Sequence, residues 1–277
     1  MVEQSSAPAG HPGRRELTTF SIVARCPRSG QLGGAVSTAD VGAGRMVLWA
    51  ESGVGAVATQ SWPNLYLAID ALRLLRAGSA AKDALSTVLE SDPDAGLRQL
   101  GIVDSQGRSD SWTGEECTGW CGHVTGEGFA AQGNMLLNAE TVDRLASIFS
   151  ATSELDLSER LLRALEAAQA AGGDKRGKQC SALLVVDKEE FALWDLRVDE
   201  HPTPVAELRR VYEIARLQLL PFVMGLPTRE NPRGSLTDEF IESNVLPPPL
   251  RPGGGGSGPM QLPSSTGLTD EEARSDG

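Results

Sequence analysis

Two adjacent threonines, Thr18 and Thr19, open a β-branched run at residues 18–25 (TTFSIVAR). A threonine hydroxyl is a weak nucleophile, but at a mature N-terminus it has a base of its own. Its α-amine, with an unperturbed pKa of about 7.7–8.0, can take the hydroxyl proton. That chemistry needs no histidine, and the chain has only three, His11, His123 and His201. Read locally, the same threonines are ordinary strand residues, because threonine favours a pleated, half-buried backbone.

Four other constellations bear on chemistry. Gln132, Gly133 and Asn134 follow an apolar run and are expected to end a strand. An asparagine amide held there by a glycine-permitted turn is an oxyanion donor, and a turn asparagine in the left-handed region is the structural alternative. Residues 172–179 (GGDKRGKQ) are polar and basic. Their glycine-rich start can cradle an anion, although they lack the G-x-x-x-x-G-K-[ST] order of a phosphate loop, and a solvated loop explains them equally. Cys117, Cys121 and His123 are too few for a structural zinc centre, so no metal is expected. Asp199, Glu200 and His201 suit either an acid/base group or a turn leading to a helix at Pro204. Trp112, Trp120 and Trp194 read as packing residues.

The elements that must position these groups follow from periodicity. A hairpin is expected from residues 18–25 and 33–38 across the turn at 27–30. Further strands are expected at 54–59, 97–103, 108–113, 128–133, 181–186 and 191–198. Small residues dominate the early strands, which suits sheets covered on both faces. Helical spacing runs through 65–75, 82–90, 139–149, 157–170 and 204–219. Strands and helices segregate in blocks, which favours a layered α+β sandwich with largely antiparallel sheets over a doubly wound parallel fold. Residues 1–16 lack apolar periodicity and are expected to be a disordered leader. Residues 17–225 form the domain, and 226–277 a largely disordered Pro/Gly-rich tail.

Composition narrows the function. Across 277 residues, 25 Lys and Arg stand against 37 Asp and Glu, a net charge of −12 that argues against nucleic-acid or anionic-membrane partners. No apolar stretch is long enough to span a bilayer, and the first residues lack a signal-peptide core. Four cysteines make no disulfide framework, so reduced thiols and a cytoplasmic location are expected.

Taken as an ordered set, several segments resemble the DUF1028 family of bacterial proteins. They are residues 19–25 (TFSIVAR), 53–60 (GVGAVATQ), 132–134 (QGN), 172–179 (GGDKRGKQ), and 195–201 (DLRVDEH) with 207–209 (ELR). The resemblance covers roughly residues 18–219. That family is grouped with the N-terminal nucleophile (Ntn) hydrolases, whose four-layer αββα sandwich agrees with the element order above.

The resemblance implies an amidohydrolase acting on a small-molecule or peptide-like amide, without a cofactor. Thr19 would be the nucleophile, Asn134 the oxyanion donor, and Asp174 and Arg176 would orient the amine or grip a substrate carboxylate. Gln179 and Ser37 complete the implied substrate-binding set, with Ser21 and Ser37 as supporting hydroxyls. Relatives typically begin Met-Thr-Phe-Ser-Ile-Val-Ala, whereas eighteen residues precede Thr19 here. Proteolytic maturation, translation starting near Leu17, or use of the fold without N-terminal catalysis would each resolve the difference. Cys180 stands where relatives usually have serine, which weakens any hydrogen bond that the hydroxyl makes. The alternative readings are a noncatalytic ligand-binding or assembly module and a structural subunit, and a homo-oligomer is compatible with each.

Overall fold

The computed structural model describes residues 19–173 and 177–245. The chain divides into two compact units, residues 1–209 and 210–277. In order, the first unit contains β1 (Thr19–Arg25), β2 (Leu32–Thr38), the single turn α1 (Gly44–Val47), β3 (Leu48–Glu51) and β4 (Gly55–Ser61). The helices α2 (Leu65–Arg76) and α3 (Ala81–Glu90) follow, then β5 (Arg98–Asp104), β6 (Ser109–Thr113), β7 (Trp120–Gly126) and β8 (Phe129–Leu136). Next come α4 (Glu140–Ala151), α5 (Leu157–Ala170), β9 (Cys180–Val186), β10 (Ala192–Val198) and the start of α6 (Pro204–Gln218).

The strands form two antiparallel sheets, one of order β10-β9-β2-β1-β8-β7 and one of order β3-β4-β5-β6. The mixed α+β class with antiparallel sheets thus follows the expectation from block segregation. Because side chains alternate across a strand, β5 sends Leu100 and Ile102 into a core with Leu67, Leu72, Leu85 and Val88 of α2 and α3. Its other face meets the six-stranded sheet, where Val103 joins Val23, Val36, Ala58, Ala130 and Val186. Helices α4 and α5 contact the six-stranded sheet through β8 and β7, and through β1, β2 and β9, respectively.

Polar groups fix the helix ends. Asn64 caps α2 by accepting from the Tyr66 N–H at 3.1 Å, and its amide donates to Asp92 at 3.0 Å. Asp92 in turn pairs with the buried Arg98 at 2.9 Å. The ELR segment acts at the start of α6, where Arg209 spans to Glu159 at 2.6 Å and Glu166 at 2.7 Å, both on α5.

Two strands went unanticipated. β7 alternates half-buried and exposed positions and carries Gly122, His123 and Gly126, too polar a pattern to stand out. β3 is four residues long and follows α1 directly. The second unit contains α7 (Leu220–Met224) and α8 (Asp238–Asn244), the latter capped by Thr237 accepting from the Phe240 N–H at 3.1 Å. α8 lies within the stretch 226–277, and the leader 1–16 lies outside the described residues. Among the described residues, no helix is long and apolar enough to cross a membrane.

Candidate active site

Thr19 begins β1, a central strand of the six-stranded sheet, and stands directly across from Thr38 of β2 and Asn134 of β8. All three side chains therefore share the face turned to the other sheet. The Thr19 backbone N–H donates to Asn134 Oδ1 at 2.8 Å, and its hydroxyl lies 3.3 Å from Thr38 Oγ1. Asn134 Nδ2 is buried and has no hydrogen-bond partner among the described residues. A buried amide N–H left unpaired costs about 1–3 kcal/mol. It is therefore a donor waiting for an acceptor.

Asn134 reaches this place by a different route from the one its sequence suggested. It lies within β8, which runs on to Leu136, so it does not sit in a glycine turn at a strand end. The left-handed residue is Met135, with φ at 50°. Gly133 leaves room for the Leu136 side chain, since a Cβ there would lie 2.4 Å from Leu136 Cδ1 and push it aside.

Behind Thr19 the space between the sheets is polar, whereas further along β1 it is apolar. Three glutamines, one each from β4, β5 and β8, fill it. Gln60 accepts from Ser21 Oγ at 2.6 Å and donates to the Thr19 carbonyl at 3.2 Å and to Gln99 Oε1 at 2.8 Å. Gln99 Nε2 donates to Thr113 Oγ1 at 2.9 Å and to the Gly133 carbonyl at 2.8 Å. Gln132 accepts from Ser111 Oγ at 2.9 Å and donates to the Ala58 carbonyl at 3.3 Å. Gly101 makes this possible, since a Cβ there would stand 2.3 Å from Gln132 Oε1.

The series ends at the surface, where Thr113 Oγ1 lies 2.8 Å from His123 Nδ1. The Thr113 oxygen also accepts from Gln99 at 2.9 Å, so it links the amide series to the imidazole ring. Burial also lowers the His123 pKa, against an opposing pull from Asp110. Sequence reasoning missed Gln99, Thr113 and His123 as site-related. The available signal was a glutamine within each of three strands that are otherwise buried, where an unpaired polar group would be costly.

The remaining expected site residues are placed as follows. The Gln179 N–H donates to the Thr38 carbonyl at 2.9 Å, which brings this loop beside the threonine pair. Ser37 faces the other way: its register partners are Phe20 and Ser181, and its hydroxyl donates to the Cys180 carbonyl at 3.2 Å. Thr18, Asp174 and Arg176 lie outside the described residues. Cys180 stands across from Thr38, and burial pushes its thiol pKa up, partly offset by the Gly44 and Ala43 backbone. The Cys117 and Cys121 thiols each donate to a backbone carbonyl at 3.5 Å. Among the described residues, no three His, Cys, Asp or Glu side chains gather as a metal-holding group.

This arrangement defines an α+β protein of two antiparallel sheets with a threonine site at one end of the central strand. The chain belongs to the family of unknown function DUF1028, whose family model matches residues 19–208, beginning at Thr19 itself. Among solved structures it is similar to the DUF1028 protein SPO2555 of Silicibacter pomeroyi. That likeness has 31% identity and a TM-score of 0.74, covering 80% of this chain and 96% of the other. A distant likeness to Anbu (ancestral beta-subunit) of Yersinia bercovieri has 13% identity and a TM-score of 0.36, over 76% of this chain and 98% of that one. A search among curated proteins gave no match.

Proposed function

We propose that this chain is an N-terminal nucleophile amidohydrolase that cleaves a small amide or peptide-like bond with Thr19. Asn134 carries the reading: its Oδ1 holds the Thr19 nitrogen at 2.8 Å while its buried Nδ2 has no partner among the described residues. Cutting the Thr18–Thr19 bond turns that nitrogen into an α-amine already held in place. The amine takes the Thr19 hydroxyl proton, Oγ1 attacks the amide carbonyl, and Asn134 Nδ2 donates to the oxyanion. The amine then protonates the leaving nitrogen, and water hydrolyses the resulting ester.

In this scheme Asp174 and Arg176 orient the amine or bind a substrate carboxylate, and Gln179 lines the substrate side. Ser37 acts at one remove by fixing the β2–β9 pairing. The helices against each sheet support a four-layer αββα sandwich, the architecture of Ntn hydrolases, and the reading places the enzyme in the cytoplasm.

One observation favours a noncatalytic binding module instead. Thr19 is fully buried, and with residues 1–18 attached its nitrogen is a non-basic amide. Intact mass and N-terminal sequencing of protein from its native host separate the two readings. A chain starting at Thr19 that turns over small amides, with turnover lost in Thr19→Ala, is the expected result. A chain that keeps residues 1–18 and binds a small molecule without consuming it identifies the binding module.

A further inference from the structure

At the other end of β1 a cavity of about 470 Å³ opens where the β1 and β8 ends meet α4 and α5. Thr19 and Arg25 are the two ends of this seven-residue strand. At about 3.3 Å per residue that separation is roughly 20 Å, so the cavity is distinct from the threonine site. Phe129 and Phe149 form an aromatic wall with ring centroids 5.3 Å apart, and Arg25 and Arg160 bring positive charge to the lining.

Arg160 is the informative member. It is only 5% exposed, its guanidinium carbon sits 3.8 Å from the Phe149 ring centroid, and Nη2 donates to the Phe149 carbonyl at 3.0 Å. Its Nε and Nη1 have no hydrogen-bond partner among the described residues. A buried guanidinium without a paired oxygen anion is costly. Burial accordingly lowers its pKa, with the Cys26 thiol and the more distant Glu154 carboxylate opposing the shift and Arg28 adding to it. A thiol is a weak acceptor and offers none of the paired oxygens that match a guanidinium.

We infer that this cavity binds a carboxylate carried on a planar apolar body, with Arg160 and Arg25 meeting the anion and the two phenylalanines meeting the body. The volume falls within the roughly 300–1,000 Å³ of small-ligand pockets, which are mostly apolar with a few placed polar groups. Glu127 at the exposed rim repels multiply charged anions, which selects a monoanion over a phosphate. Rotation of the guanidinium toward the cavity lets Nε or Nη1 complete the missing hydrogen bonds.

Calorimetric titration of the full chain with benzoate, and with benzamide as its neutral match in shape, tests the assignment. Benzoate binds saturably and benzamide about tenfold or more weakly, the loss expected for a charge-assisted hydrogen bond. Ser153→Glu adds a carboxylate at an exposed rim position and lowers benzoate affinity about tenfold, as does Arg25→Met, while Arg160→Gln removes binding. If Arg160→Gln does not fold, the other two variants decide. Equal affinity for the two probes, no saturable benzoate binding in the millimolar range, or unchanged affinity in both Ser153→Glu and Arg25→Met overturns it.

Discussion

The backbone nitrogen of Thr19 and the side-chain oxygen of Asn134 lie 2.8 Å apart across neighbouring strands. A strand register therefore sets the position of the nitrogen that serves as the base in the proposed mechanism. The other end of the same amide, Nδ2, is buried and has no hydrogen-bond partner among the described residues.

The two ends of Asn134 are separable by mutation. Asn134→Asp keeps an oxygen toward Thr19 but removes the Nδ2 donor. In the mature enzyme, kcat is expected to fall about 10²–10³-fold, as on loss of one oxyanion donor. Asn134→Ala additionally strands the Thr19 nitrogen and costs about 1–3 kcal/mol of stability by urea unfolding. Equal kcat in Asn134→Asp and the parent would remove the donor role.

The glutamine series behaves as a unit. Gln99→Leu leaves Gln60 and Thr113 short of a partner, so destabilisation of about 2–3 kcal/mol is expected. The double variant Gln60→Leu/Gln99→Leu should cost less than the two single changes summed, because each single change orphans the other residue. Additive losses in that cycle would mean the two amides are independent.

Gly101→Ala tests close approach directly. The added methyl meets Gln132 Oε1 at 2.3 Å, so the side chain must leave its bonds to Ser111 and Ala58. A loss of about 1–3 kcal/mol is expected in chemical denaturation. Gln132→Ala in the same background should then add little.

Asp92 ties stability to acid pH. Burial pushes its carboxyl pKa up, but Arg98, Asn64 and the Asp94 N–H together outweigh that, and the net shift is down. A carboxylate with a depressed folded pKa contributes stability above the unfolded value of about 3.9, and that contribution is lost as pH falls through the folded pKa. Asp92→Asn removes the buried charge partner of Arg98, which keeps only the Trp62 carbonyl and the more distant Asp94, so a loss of about 2–4 kcal/mol at neutral pH is expected, and the cost should shrink on acidification. Thermal unfolding of both proteins from pH 7 to pH 2 measures this directly.

What the sequence by itself determined were the properties that local chemistry controls. A β-branched run placed β1, turn signals placed β2, β9 and β10 beside their partners, three- and four-residue apolar spacing placed α2, α4 and α5, and the ordered motifs led to the family. The sequence also singled out Thr19 and Asn134, because a threonine opening a strand and an asparagine after glycine carry recognisable chemistry. Only the tertiary structure decided that these two are register partners 115 positions apart. Only it showed that Ser37 belongs to the opposite face, and that Gln60, Gln99 and Gln132 meet between two sheets. Register and sheet facing depend on which strands pair and how the sheets pack, and those long-range contacts leave no local periodicity. The Arg160 cavity was illegible for the same reason: an arginine on an amphipathic helix reads as solvated until the packing of α4, α5 and β8 buries it.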